Sequence, residues 1–125
     1  MIAALSGGTA LACSCVRYHS AEEQWATTDV AFVGTVVGQE QYKDASGARL
    51  MRTRFRVART LKGQALAVRA IGHDPDRVGS CGPSFKNGQT VVVFARNTPD
   101  GLMTSSCSEP QYPLAEFERL AARRK

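Results

Sequence analysis

The chain lacks most of what a membrane protein or an enzyme carries. No apolar run approaches the roughly 18 residues a membrane helix requires, and there is no internal repeat or low-complexity tract. A Gly-x-Ser-x-Gly nucleophile motif is absent, as is any Cys-x-x-Cys pair. Only two histidines are present, His19 and His73, and neither has an evident acid–base partner. A zinc site of the chain's own is therefore not expected, and neither a cofactor nor an enzymatic activity is expected. His73-Asp74-Pro75-Asp76 reads as a polar turn within a long loop from Gly72 to Ser80. Lysine and arginine are missing before Arg17.

What the first residues do contain is an uncharged apolar stretch closing on Ala10-Leu11-Ala12-Cys13-Ser14-Cys15. An Ala-x-Ala triplet after a short apolar run is what signal peptidase cuts, so residues 1–12 read as a signal-peptide remnant and Cys13 as the mature first residue. Such a head offers an α-amine and a carbonyl oxygen side by side, a bidentate ligand for another protein's metal. Two other readings compete. A buried first strand would be broken by Ser6-Gly7-Gly8-Thr9. Lipidation at Cys13 is suggested by Leu11-Ala12-Cys13, a partial lipobox with Ala10 where leucine is usual. The expected location is extracellular or periplasmic, with attachment to a membrane at the cell envelope only if Cys13 is lipidated.

Without those 12 residues 113 of the 125 remain, one domain with one core. With 43% hydrophobic and 22% charged residues the chain has the balance of a folded protein, which argues against disorder. Four cysteines in a short exported chain read as two disulfides, for which the sequence allows three pairings. Cys13 to Cys15 would close a very tight ring and is the least favourable.

Ser20 and Glu23 form a capping-box pair over a short helix, Ala21 to Ala26, in which Trp25 is expected to be core. Val30 to Val37 is apolar on both faces, as in a closed barrel or sandwich, with Gly34 a bulge or bend. After a polar loop at Asp44 to Gly47, Met51, Thr53, Phe55 and Val57 alternate with Arg52, Arg54, Arg56 and Ala58, the period of a strand with one wet face. Leu66, Val68 and Ala70 suggest a third strand; Thr90 to Ala95 and Leu102 to Ser106 suggest two more around a Pro99-Asp100-Gly101 turn. Pro113 at a first helical position, followed by Leu114, Phe117, Leu120 and Ala121, marks a C-terminal amphipathic helix within residues 111–125. The expected fold is mainly β: a small five-stranded Greek-key barrel of the oligonucleotide/oligosaccharide-binding (OB) type over residues 13–110, with a helix at each end and two disulfides. Val30, Phe32, Val36, Phe55, Val57, Val68, Val91, Val93 and Phe94 are its expected core.

Cys13-Ser14-Cys15, a short helix and then Asp29-Val30-Ala31-Phe32-Val33-Gly34-Thr35-Val36 resemble the N-terminal domain of the tissue inhibitors of metalloproteinases and the related netrin-like modules. Thr60-Leu61-Lys62-Gly63, and Cys81-Gly82-x-x-Phe85-x-x-Gly88 leading into Val91 to Ala95, resemble the bacterial branch of that family. The likeness spans Cys13 to Cys107. It implies the pairings Cys13–Cys81 and Cys15–Cys107. It also implies an inhibitory wedge of Cys13, Ser14, Cys15, Gly79 and Ser80, in which the Cys13 amine and carbonyl chelate a target protease's catalytic zinc and Ser14 enters the specificity pocket. The family's third N-domain disulfide and its C-terminal cysteine-rich domain have no counterpart here. An α-amine with a reference pKa of about 7.7–8.0 must be neutral to donate to zinc, and bidentate chelation would displace the water such a protease uses.

Charge supports a second reading. Sixteen lysines and arginines against 11 acidic residues give a formal +5, and Arg52, Arg54 and Arg56 would project from one strand face with Arg59 and Lys62 nearby. For an exported domain the fitting partner is an anionic polysaccharide, a lipid headgroup or an acidic protein, and nucleic acid is not expected.

Overall fold

The computed structural model describes residues 14–76 and 81–123. Helix α1 spans Ala21–Ala26, strands β1 to β5 span Val30–Lys43, Arg49–Lys62, Val68–His73, Thr90–Thr98 and Gly101–Met103, a 3-10 turn spans Ser106–Ser108, and helix α2 spans Leu114–Arg123. The five strands close into a barrel in the order β1-β2-β3-β5-β4. All contacts around the ring are antiparallel except β3 with β5, which run parallel.

Both long strands owe their course to local chemistry. The Asp44 carboxylate accepts from the Ser46 and Ala48 backbone N–H groups, so the β1–β2 loop folds back on itself. The pairing of β1 with β2 shifts register between Val33 and Gly34 and at two further places, the bulges that let a 14-residue strand coil around a small barrel. Closure falls at Gly72, opposite Met103. A Cβ on Gly72 would stand 2.5 Å from the Tyr42 hydroxyl and 2.6 Å from the Met103 sulfur, so any larger residue at the seam would have to displace those two side chains.

Two apolar layers result. Inside the barrel Phe32, Val36, Phe55, Ile71, Val93 and Ala95 are buried together, with Phe32 and Phe55 edge to face at 5.4 Å. Outside it, α1 and α2 cover part of the wall through Trp25, Phe117 and Leu120 against Ala31 and Phe94. Phe94 thus faces the helices, its ring 4.8 Å from Phe117. The N-terminus of α1 is capped as the sequence indicates: Ser20 Oγ accepts from Glu23 N–H, while the Glu23 carboxylate accepts from His19 N–H.

Three expectations require correction. Val68 is 55% exposed and not core, because β2 pairs Phe55 with Arg69, Thr53 with Ile71 and Met51 with His73, which turns the odd-numbered residues of β3 inward. His73 and Gly72 belong to β3 and not to a loop, and His73 is only 2% exposed. The last strand stops at Met103, since the Thr104 hydroxyl donates to the Phe94 carbonyl and Ser105 Oγ caps the Cys107 N–H, bending the chain into the 3-10 turn.

Candidate functional site: an exposed N-terminal ridge

Ser14, Cys15, Val16 and Arg17 form no helix or strand and are all exposed, yet they are held at several points. Cys15 is bonded to Cys107, with Cα atoms 5.1 Å apart. This disulfide fits an oxidising environment outside the cytoplasm. Cys81 is disulfide-bonded too; Cys13, and with it the expected Cys13–Cys81 bridge, lies outside the described residues. Gly79 and Ser80 also lie outside them.

Beyond the disulfide, one side chain does most of the holding. Gln111 accepts from Tyr18 N–H through Oε1 at 2.8 Å and donates from Nε2 to the Val16 carbonyl at 2.8 Å. Its amide replaces the neighbouring strand that an extended segment would otherwise need. Gln111 is positioned in turn, because its own N–H donates to Gln24 Oε1 at 2.9 Å while Gln24 Nε2 donates to the Glu109 carbonyl at 2.9 Å. Gln24 is buried beneath α1. The Tyr112 hydroxyl completes the set by donating to the Tyr18 carbonyl at 2.6 Å.

The outcome is a ridge held by the Cys15 disulfide and by backbone bonds at Val16 and Tyr18, with the Ser14, Val16 and Arg17 side chains exposed. Val16 is 76% exposed on it, an apolar group presented to solvent on a pinned main chain. Ser14 and Cys15 are the expected wedge residues that the structure places here. Val16 and the fixing residues Tyr18, Gln24, Gln111 and Tyr112 were not singled out by the sequence. A glutamine on the Ala21–Trp25 face of a short helix was the one available signal, because a buried amide needs a partner.

The basic face of β2 is only partly as expected. Arg54 and Arg56 are exposed and Arg52 is half-buried. The Glu40 carboxylate stands 3.2 Å from Arg52 and 3.7 Å from Arg54, and Arg52 also lies 3.9 Å over the Tyr42 ring. Arg59 pairs with Glu118 at 2.7 Å, and Lys62 Nζ donates to the Trp25 carbonyl. One carboxylate therefore offsets part of the stripe.

Neither histidine joins a metal cluster: among the described residues no three His, Cys, Asp or Glu side chains gather for one. His73 instead ends a directed chain of hydrogen bonds. The Asp74 carbonyl can only accept, so His73 Nδ1 carries the ring proton and donates to it at 2.8 Å; Nε2 then accepts from the Thr53 hydroxyl at 2.6 Å, and Thr53 Oγ1 in turn accepts from Gln39 Nε2 at 2.9 Å. Burial pushes the His73 pKa below its ordinary value near 6.5, against smaller opposing effects of Asp74 and Asp76. Among the described residues no helix is long and apolar enough to cross a membrane. No protein-family model matches the chain, and a search of curated proteins returns no match.

Proposed function

We propose that this is an exported, non-enzymatic binding domain of the OB, Greek-key type that inhibits a secreted zinc metalloprotease through its N-terminal ridge, with Cys13 as the first residue and zinc ligand. The observation that carries the proposal is the state of residues 14–17: exposed, yet fixed by the Cys15–Cys107 disulfide and by the Gln111 clamp. A protein inhibitor binds tightly when the segment entering the enzyme is already ordered, because little conformational entropy is then lost on association. In this reading Cys13 supplies the amine and carbonyl, Ser14 enters the specificity pocket, Val16 packs on the rim, and Gly79 and Ser80 flank them. The Glu40 pairing of Arg52 and Arg54 makes the β2 face a weaker anion receptor than its three arginines alone, which ranks an anionic partner second.

The test compares the domain beginning at Cys13 with a version bearing one added alanine before it, against a panel of secreted zinc metalloproteases. Inhibition by the first and none by the second, with equal folding by circular dichroism, is the expected result. Equal potency of the two forms would sink chelation, and no inhibition by either would remove the inhibitory role.

A further inference from the structure

Strand β4 is paired along only part of one edge. One edge follows β1 over Thr90 to Ala95, from Val30 opposite Ala95 to Thr35 opposite Thr90. On the other edge β5 pairs with Arg96, Asn97 and Thr98 alone. Residues 90–94 therefore have no strand beside them there.

The direction of their backbone groups follows from the start of the strand. Gly88, at φ +85°, donates its N–H to the Val36 carbonyl, and Val36 N–H donates to the Gln89 carbonyl at 2.9 Å. This is a bulge with a left-handed glycine at its first position, and it sets Gln89 in hydrogen-bonding phase with β1. Val91, Val93 and Ala95 share that phase, so the N–H and C=O groups of Thr90, Val92 and Phe94 point the other way. Two contacts agree: the Phe94 carbonyl accepts from Thr104 Oγ1 on that outer side, and Arg96 and Thr98, of the same parity, pair with β5. No backbone group among the described residues bonds to the outer edge of Thr90 or Val92.

This open edge runs through a groove of about 420 Å³. Pro83, Phe85, Pro110 and Leu114 line it together with Val91 and Val93, and Glu109 is the one ionisable side chain among the described residues that line it. The sequence Thr90-Val91-Val92-Val93-Phe94-Ala95 contains no charge and no proline, the devices that normally blunt a free strand edge. We propose that the Thr90–Phe94 edge is a docking site for an extended, apolar peptide strand carrying a basic residue. Backbone groups in ladder phase select an extended main chain, the apolar walls select alternate side chains, and Glu109 selects the charge in a protein that is otherwise net basic. A second copy of the chain is the weaker occupant. Its own Thr90–Phe94 edge carries no basic side chain to meet Glu109.

The probe is an acetylated, amidated hexapeptide, Thr-Val-Thr-Val-Thr-Arg, titrated into the full chain and followed by amide chemical shifts. Saturable shifts are expected at Thr90 to Phe94 and at Phe85 and Leu114. N-methylating the alternate peptide amides of one phase should abolish binding, while methylating the other phase should not. Replacing the arginine by glutamate should weaken binding at least threefold. Thr90→Pro deletes one outward N–H at a first strand position that tolerates proline and should weaken binding at least tenfold; Thr90→Val, which keeps the N–H, should not. Absence of saturable shifts, or equal loss of binding from both N-methyl phases, would overturn the proposal. So would concentration-dependent self-association without peptide that Thr90→Pro removes, since the edge would then serve a second copy. Should Thr90→Pro fail to fold, the N-methyl series on the unmodified protein decides alone.

Discussion

The barrel interior and the N-terminal ridge are both fixed in place, but Phe32, Phe55 and Ile71 are fixed with no exposed surface whereas Val16 is fixed with 76% of its surface in solvent. In the interior, order comes from apolar area withdrawn from water and from close packing of rings, neither of which depends on one partner. On the ridge no such area is buried, and order comes from one disulfide and a few directional bonds that reach 93 to 95 residues along the chain. A segment meant to stay exposed can be made rigid only in the second way. The two regions should therefore answer differently to substitution, the interior according to volume and the ridge according to the partners it loses.

The largest effect is expected inside. Phe55 is fully buried and stands edge to face with both Phe32 and Phe85, so Phe55→Ala should cost about 3–5 kcal/mol, measured by denaturant titration. A change within experimental error would show that the interior is not the close-packed layer on which the comparison rests.

A smaller and more local effect is expected at Gln24. Gln24→Leu keeps the volume but leaves the Gln111 N–H and the Glu109 carbonyl without their partner, at a cost of about 1–3 kcal/mol. The informative readout is hydrogen exchange at Tyr18, whose N–H depends on the Gln111 side chain that Gln24 positions. Exchange there should accelerate at least tenfold while the amides of Phe32 and Phe55 keep the protection of the barrel. Uniform acceleration in both regions would mean that ridge and barrel are one cooperative unit.

How much of this was legible in the sequence differs between the same two regions. The strand alternation of Met51 to Val57, the Ser20–Glu23 cap, the Asp44–Gly47 and Pro99–Gly101 turns and the helix after Pro113 were all readable, because each is set by neighbours in the chain. The facing of β3 was not. Val68 and Ala70 alternate with Arg69, Ile71 and His73, so period two alone leaves the phase open, and pairing with β2 settles it in favour of two polar residues and one isoleucine. The ridge was legible as a site and illegible as a construction: Cys15 marks it, but the Gln24–Gln111 contact spans 87 residues and carries no local pattern. The open edge of β4 likewise depends on where β5 ends, which the Thr104 hydroxyl decides.

His73 lies between the two regimes, buried at the barrel wall yet held by directional bonds, and it gives the mildest test of the comparison. It is neutral in the folded protein, donating through Nδ1 and accepting through Nε2, and its pKa is depressed chiefly by burial. The unfolded chain, with a histidine near 6.5, therefore binds the proton more readily than the folded one. The sign follows: this contribution to stability is complete above about pH 6.5 and is lost progressively as pH falls below 6.5 toward the depressed folded value. Protonation would also put a donor on Nε2 opposite the Thr53 hydroxyl, which would have to turn its own proton away from the ring and accept there instead. Urea midpoints measured from pH 7.5 to pH 5 should decline in the native sequence and decline less in His73→Gln, which cannot titrate. Parallel profiles for the two proteins would show that His73 is solvated like an exposed side chain and does not belong with the directionally held groups of the barrel wall.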